Sequence, residues 1–182
     1  MSLTREDQQT LLTLARSAMT SRITQGHCPT VELKQSALQV RCGVFVTLKQ
    51  HEALRGCIGC FTSGEPLYKT VQQMTIEAAT VDPRFPALQP HELHDVRISI
   101  SILSPLKKIS RLDEIELGTH GIYVKKGDRS GTLLPEVARE AGWTREEFVS
   151  YCATQKAGLG HNNWKDAELF VYTTEHIEEG KV

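Results

Sequence analysis

The stretch from Leu54 to Phe61, Leu-Arg-Gly-Cys-Ile-Gly-Cys-Phe, constrains the fold most. Two glycines, two cysteines and one arginine sit in a segment otherwise as apolar as a buried strand. Before it, Val44 to Lys49 alternates as a strand does, and Gln50-His51-Glu52-Ala53 supplies polar residues where a hairpin connection falls. Leu54 to Phe61 is therefore expected as the second strand of a hairpin. Successive strand side chains point to opposite faces, which puts Arg55, Cys57 and Gly59 on one face and Leu54, Gly56, Ile58 and Cys60 on the other. Glycine inside a strand marks a bulge or the close approach of a ligand or another backbone. Gly59 beside Cys57 predicts an open patch around the thiol, and Arg55 on the same face favours the thiolate, the form that is nucleophilic or binds metal. The alternative is a small residue packed in a strand, since free cysteine is among the most buried residue types.

The remaining elements follow from periodicity and punctuation. Thr4 with Asp7 caps a helix whose Leu11, Leu14, Ala15, Ala18 and Met19 share one face. Ser63-Gly64-Glu65-Pro66 leads into a second helix, with Pro66 at its first position and Leu67, Val71, Met74 and Ala78 as its apolar stripe. Asp82-Pro83-Arg84-Phe85-Pro86 reads as a loop stiffened by its prolines, holding Asp82, Arg84 and Phe85 at set positions as a structural ion pair or as part of a site. Val96, Ile98, Ile100 and Ile102 alternate with Arg97, Ser99 and Ser101, the clearest strand signal in the chain. Leu112 to Ile115 suits one helical turn, and His120 to Pro135 a second hairpin with Lys126-Gly127-Asp128 at its tip. Pro135 starts a helix that Gly142 ends, and Thr144 with Glu147 forms a capping box for another reaching about Lys156, with Cys152 facing inward as a core thiol. Gly160 to Trp164 reads as a polar loop, and Leu169 to Thr174 as one final strand. Hairpins and clustered helices without regular strand-helix alternation indicate an α+β fold.

Bulk properties narrow the function classes. A chain of 182 residues buries roughly 70% of its unfolded surface without help from disulfides. A net charge of -1 leaves no electrostatic footprint for nucleic acid or an anionic membrane. Five cysteines, an odd number, fit reduced thiols better than a secreted disulfide framework. Arg5, Glu6 and Asp7 precede any apolar run, so no signal peptide or membrane span is expected, and the protein is expected to be cytoplasmic.

The hexapeptide Leu54-Arg55-Gly56-Cys57-Ile58-Gly59 resembles the signature of the AMMECR family, whose prokaryotic members are called AmmeMemoRadiSam system protein A. Further matches are Asp82-Pro83-Arg84-Phe85-Pro86, Ile98-Ser99-Ile100-Ser101, His120-Gly121-Ile122, Ser130-Gly131, Leu133-Leu134-Pro135, Gly142-Trp143 and Lys156-Ala157-Gly158-Leu159. The resemblance spans nearly the whole chain. It implies a single domain over residues 1–182 with two lobes: a larger one with an antiparallel sheet flanked by helices, about 1–110 and 165–182, and a smaller inserted α+β lobe, about 111–164. The signature strand then faces a cleft between them. It also implies a shared pathway with a Memo-type protein and a radical S-adenosylmethionine protein. Because the chain has no cluster-binding cysteine motif, radical chemistry belongs to a partner.

Three chemistries compete. In the first, Cys57 is a nucleophile activated by Arg55 and by a histidine brought close in the fold, His120 first and His51 next; no motif of a known hydrolase accompanies it. In the second, Cys57 and Cys60 form a metal-binding or redox Cys-X-X-Cys. Strand parity opposes that pairing, as does a family hexapeptide that ends at Gly59, and no His or Cys spacing elsewhere completes a zinc site. In the third, the chain is a binding module in which Arg55, Cys57, Arg84 and Phe85 grip a partner's segment unchanged. The leading expectation is an enzyme or enzyme subunit acting on a peptide or small metabolite, with Cys57, Arg55 and His120 as catalytic candidates. Leu54, Gly56, Ile58, Gly59, Asp82, Arg84 and Phe85 would line the site, and no metal or cofactor is expected.

Overall fold

A computed structural model describes residues 3–160 and 163–180. Two compact units divide the chain: residues up to Leu103 together with those from Glu175 onward, and Ser104–Thr174 between them. The second unit is wider at both ends than the 111–164 expected for the small lobe, because the segments around Lys107 and Glu168 pair within its sheet.

In the first unit, helix α1 (Arg5–Gln25) begins at a Thr4–Asp7 capping box and ends at Gly26, whose φ of 76° is one that glycine adopts without strain. Strands β1 (Val44–Gln50) and β2 (Ala53–Cys60) form the expected hairpin. Its two turn residues, His51 and Glu52, both have positive φ, 48° and 65°. Two-residue hairpin loops demand that geometry because it matches the right-handed twist of the strands. Helix α2 (Leu67–Thr80) and strand β3 (Val96–Leu103) follow. Strand β8 (Thr174–Glu178), which begins at the last residue of the second unit, completes a four-stranded sheet in the order β2-β1-β3-β8. Val44, Val46 and Leu48 of β1 and Ile98, Ile100 and Ile102 of β3 form one buried core with the apolar stripes of α1 and α2.

The second unit holds β4 (Lys107–Ile109), the hairpin β5 (Gly121–Lys126) and β6 (Arg129–Leu133), helices α3 (Pro135–Ala141) and α4 (Arg145–Tyr151), and β7 (Glu168–Tyr172). Its sheet runs β4-β7-β5-β6. Helix α4 starts at the expected Thr144–Glu147 capping box and continues as a π-helical turn, Cys152–Lys156. Ile122, Val124, Leu133, Phe148, Val149, Cys152 and Val171 build this unit's core.

The single final strand expected over Leu169–Thr174 is two. Strand β7 belongs to the second sheet and β8 to the first, and the chain passes between them at Thr173 with no glycine or proline to signal the break. The expected loop at Gly160–Trp164 includes His161 and Asn162, which lie outside the described residues. Among the described residues, no helix is long and apolar enough to cross a membrane.

Candidate functional site

Strand β2 is an edge strand of the first sheet, so the backbone groups of every second residue point away from β1. At Cys57 those outward groups are occupied. The Cys57 N–H donates to Asp82 Oδ2 at 2.8 Å, and the Arg84 guanidinium donates to the Cys57 carbonyl at 3.0 Å. The same guanidinium grips Asp82 through Nε (2.9 Å, to Oδ1) and NH2 (2.7 Å, to Oδ2), while the Arg84 N–H donates to Oδ1 at 3.1 Å. Asp82 is 4% exposed, and all these bonds except the one to the Cys57 carbonyl converge on its carboxylate. The proline-stiffened loop thus takes the place of a neighbouring strand at one residue, and that residue is Cys57.

The electrostatics follow from the contacts. The Arg84 hydrogen bonds hold the Asp82 carboxyl far below the usual carboxylate range, burial opposing and the Cys57 and Arg84 N–H groups assisting. Arg84 in turn is pushed up, first by Asp82, with burial opposing and with smaller contributions from the Asp82 charge and from Cys57. The cation bonded to Cys57 is therefore Arg84, through the backbone carbonyl.

Arg55, expected beside the thiol, is elsewhere. Gly56 stands opposite Leu48 but Leu54 stands opposite Lys49, so Arg55 is the extra residue of a β-bulge. A bulge breaks the two-residue alternation and re-aims a side chain. Leu54, 42% exposed, is thereby brought to the Lys49 face that the parity argument had denied it. The Arg55 fork binds Glu92 bidentately, Nε to Oε1 at 2.8 Å and NH2 to Oε2 at 3.0 Å, and its NH1 donates to the Pro86 carbonyl at 3.0 Å. Its guanidinium is spent on tying β2 to the loop before β3. Glu92 is held below the usual carboxylate range, first by Arg55, with burial opposing and the Gln89 N–H assisting.

Beyond the bulge, parity holds. Cys57 pairs with Thr47 and Gly59 with Phe45 on the sheet face away from the helices, whereas Gly56, Ile58 and Cys60 stand opposite the buried Leu48, Val46 and Val44. Cys57 and Cys60 therefore face opposite ways. The Thr47 hydroxyl lies 3.3 Å from the Cys57 sulfur. Both signature glycines are demanded by close approach: a Cβ on Gly56 would come within 2.2 Å of the Ala78 carbonyl oxygen of α2, and one on Gly59 within 2.4 Å of the Phe45 ring. The space beside Gly59 is thus filled by Phe45, which meets Phe61 edge-on at 5.3 Å, and the expected open patch is closed on that side. Cys57 itself is half-buried. Phe85 carries the Arg84 guanidinium 5.6 Å over its ring.

The expected histidines do not gather at Cys57 within its unit. His51 is in the β1–β2 turn, its Nε2 3.9 Å from Asp95. His120 belongs to the second unit, where its Nδ1 accepts the Glu116 N–H at 3.1 Å. No cluster of three or more His, Cys, Asp or Glu side chains suited to a metal is found among the described residues. Thr47 and Glu92 were not anticipated. Thr47 was visible as a polar residue in an alternating strand, but Glu92 carried no signal, because its role depends on a bulge.

Comparison with known proteins agrees with this architecture. The chain is 39% identical to a protein of Methanopyrus kandleri over 97% of its own length and 90% of that protein's. It is 38% identical to one of Methanothermobacter thermautotrophicus over 93% and 92%. A crystal structure of an uncharacterised protein from Pyrococcus horikoshii superposes with a TM-score of 0.87 at 35% identity, covering 97% of this chain and 93% of that one. The AMMECR1 family model matches residues 12–177, a span that includes the signature strand, the Asp82–Arg84 loop and both sheets, and the chain belongs to the AMMECR1 family.

Proposed function

We propose that this protein is an enzyme or enzyme subunit that binds a peptide or small metabolite at a site centred on Cys57, and that it works in one pathway with a Memo-type and a radical S-adenosylmethionine protein. One observation carries the reading. A half-buried thiol on an edge strand is fixed at its own N–H and its own carbonyl by a buried carboxylate and a guanidinium, and its sulfur meets a hydroxyl. A reactive or gripping group works only when held within a fraction of an ångström, and backbone clamps of this kind supply that rigidity. Arg84 supplies the positive charge that a thiolate or an anionic ligand group needs.

In this reading Cys57 meets the ligand, Thr47 and Arg84 orient it, Asp82 holds Arg84 and the strand, and Arg55 supports the loop through Glu92. Leu54 and Phe85 offer apolar contact beside them. The test is to purify wild-type and Cys57→Ala protein from native cells and compare the small molecules and peptides that co-purify. A compound class held by wild type and lost from a Cys57→Ala protein of unchanged melting temperature is the expected result. Identical profiles would remove the proposal.

A binding module without catalysis is the second reading, favoured by the exposure of Leu54 at 42% and of the Arg84 side chain at 53%. Arginine and apolar anchors of this kind are common in interfaces. Incubating the captured compound with fresh protein separates the two: chemical change supports the enzyme, quantitative recovery the module.

A further inference from the structure

The sheet face that carries Cys57 has a second group of reactive side chains at its far edge. The Ile98 carbonyl accepts the Glu179 N–H and the Thr173 carbonyl accepts the Ser104 N–H, which sets β8 antiparallel to β3 with Ser101 opposite His176 and Ser99 opposite Glu178. His176 Nδ1 and the Ser101 hydroxyl share a hydrogen bond of 3.2 Å, and His176 Nε2 lies 4.0 Å from Glu178. Since Thr47 pairs with both Cys57 and Ser99, one row across the sheet reads Cys57, Thr47, Ser99, Glu178. The next row reads Gly59, Phe45, Ser101, His176, with the Phe45 ring over Gly59. A thiol, hydroxyls, an imidazole and a carboxylate therefore share one face of four strands.

We propose that His176 is a second ligand-contacting residue of this face, accepting a proton or hydrogen bond at Nε2 from an elongated polar small molecule whose other end meets Cys57. The inference rests on the Cys57-centred reading above and adds the far end of the ligand. Ser101, 9% exposed, fixes the ring through Nδ1, while the His176 side chain is 52% exposed and its Nε2 keeps only the 4.0 Å approach of Glu178. That division, one nitrogen held by Ser101 and the other at the half-exposed edge of the ring near Glu178, is how a working imidazole is oriented. Three interstrand steps separate β2 from β8, about 14 Å at the usual sheet spacing. His176 is therefore out of reach of the Cys57 sulfur and acts on a different part of the ligand. Because His176 also lies one row along the strands, about 7 Å, the complementary molecule carries a hydroxyl or N–H donor about 16 Å from the group that meets the thiol.

The test uses disulfide-bearing fragments captured at Cys57 by thiol exchange, in long and short tethers ending either in a phenol or in an unsubstituted phenyl ring. On wild-type protein the long phenol fragments are expected to be captured about tenfold more than their long phenyl counterparts, with no such preference among short ones. His176→Ala should abolish the preference, Ser101→Ala should weaken it, and His176→Gln, which keeps an acceptor, should retain part of it. Equal capture of long phenol and phenyl fragments by wild type, or a preference that survives in His176→Ala, would overturn the role of His176 and leave Cys57 intact. Failure of every fragment to form an adduct at Cys57 would remove the Cys57 site and this proposal with it. Capture governed by amides along the tether rather than by its end would point to a peptide strand as the occupant and refute the small molecule.

Discussion

The two units use the same materials, a four-stranded antiparallel sheet packed on helices, and place a cysteine in each to opposite effect. Cys152 lies at the start of the π-helical turn, fully buried among Phe148, Val149 and Val124, and burial pushes its thiol up to about 12, with Lys156 opposing. Cys57 lies on the polar face of an edge strand, half-buried, against a hydroxyl and with a guanidinium bonded to its carbonyl. The difference shows what separates a thiol that fills space from one that can meet a ligand: which sheet face it occupies, and whether charged groups are anchored around it.

The largest expected effect is in reactivity. Iodoacetamide should alkylate Cys57 at least about a hundredfold faster than Cys152 in native protein, since only the thiolate attacks and burial suppresses it. Cys42 and Cys60 should fall between, both pushed up mainly by burial. Peptide mass spectrometry after partial alkylation reads the order, and equal rates at Cys57 and Cys152 would dissolve the contrast.

Next is stability. Asp82→Ala strips the clamp of its carboxylate, leaves the Cys57 N–H unpaired and frees Arg84; hydrogen bonds to charged groups are worth about 1.5–3 kcal/mol each before relaxation. Because Arg84 is half-exposed and water recovers part of the loss, a destabilisation of about 3 kcal/mol is expected in urea denaturation. Glu168→Ala in the second unit, which removes an exposed partner of Lys108, should leave the urea midpoint nearly unchanged. Similar losses in the two would mean the clamp is ordinary surface pairing.

Arg55→Lys is smaller. Lysine keeps the charge but loses the fork that Glu92 and Pro86 share, so a cost of about 1–2 kcal/mol is expected, or a melting temperature lower by about 2–8 °C. An unchanged melting temperature would show the fork to be dispensable.

The last is acid sensitivity. Asp82 and Glu92 both have carboxyl groups lowered by their arginine partners. Their contribution is complete above the unfolded values, about 4, and is lost as pH falls through the lower folded values, because the unfolded chain then binds more protons. Asp82→Asn should flatten the fall in stability below about pH 4, measured by denaturation at successive pH values. An unaltered slope would argue against a lowered Asp82.

Much of the fold was legible in the sequence. The Thr4 and Thr144 caps, the Val96–Leu103 alternation and the hairpins announce themselves because each depends on neighbours a few residues away. The β8 strand was not, since Thr173 gives no turn signal and the switch between sheets is decided by tertiary pairing. At the site, the opposite facing of Cys57 and Cys60 followed from period two, and the stiffness of the Asp82–Phe85 loop from its prolines. The role of Arg55 did not, because one bulged residue reverses the parity on which its assignment stood. That Arg84 rather than Arg55 engages Cys57, at its carbonyl, is a tertiary fact, as is the Ser101–His176 contact.

The clamp on Cys57 is the central claim, and amide hydrogen exchange followed by NMR tests it at a single atom. An outward N–H on an edge strand ordinarily exchanges freely. The Cys57 amide should instead be protected to a degree comparable with that of Ile58, which is paired with β1, and should lose that protection in Asp82→Asn or Asp82→Ala while Ile58 keeps its own. Rapid exchange of the Cys57 amide in the wild-type protein would contradict the clamp and the site built upon it.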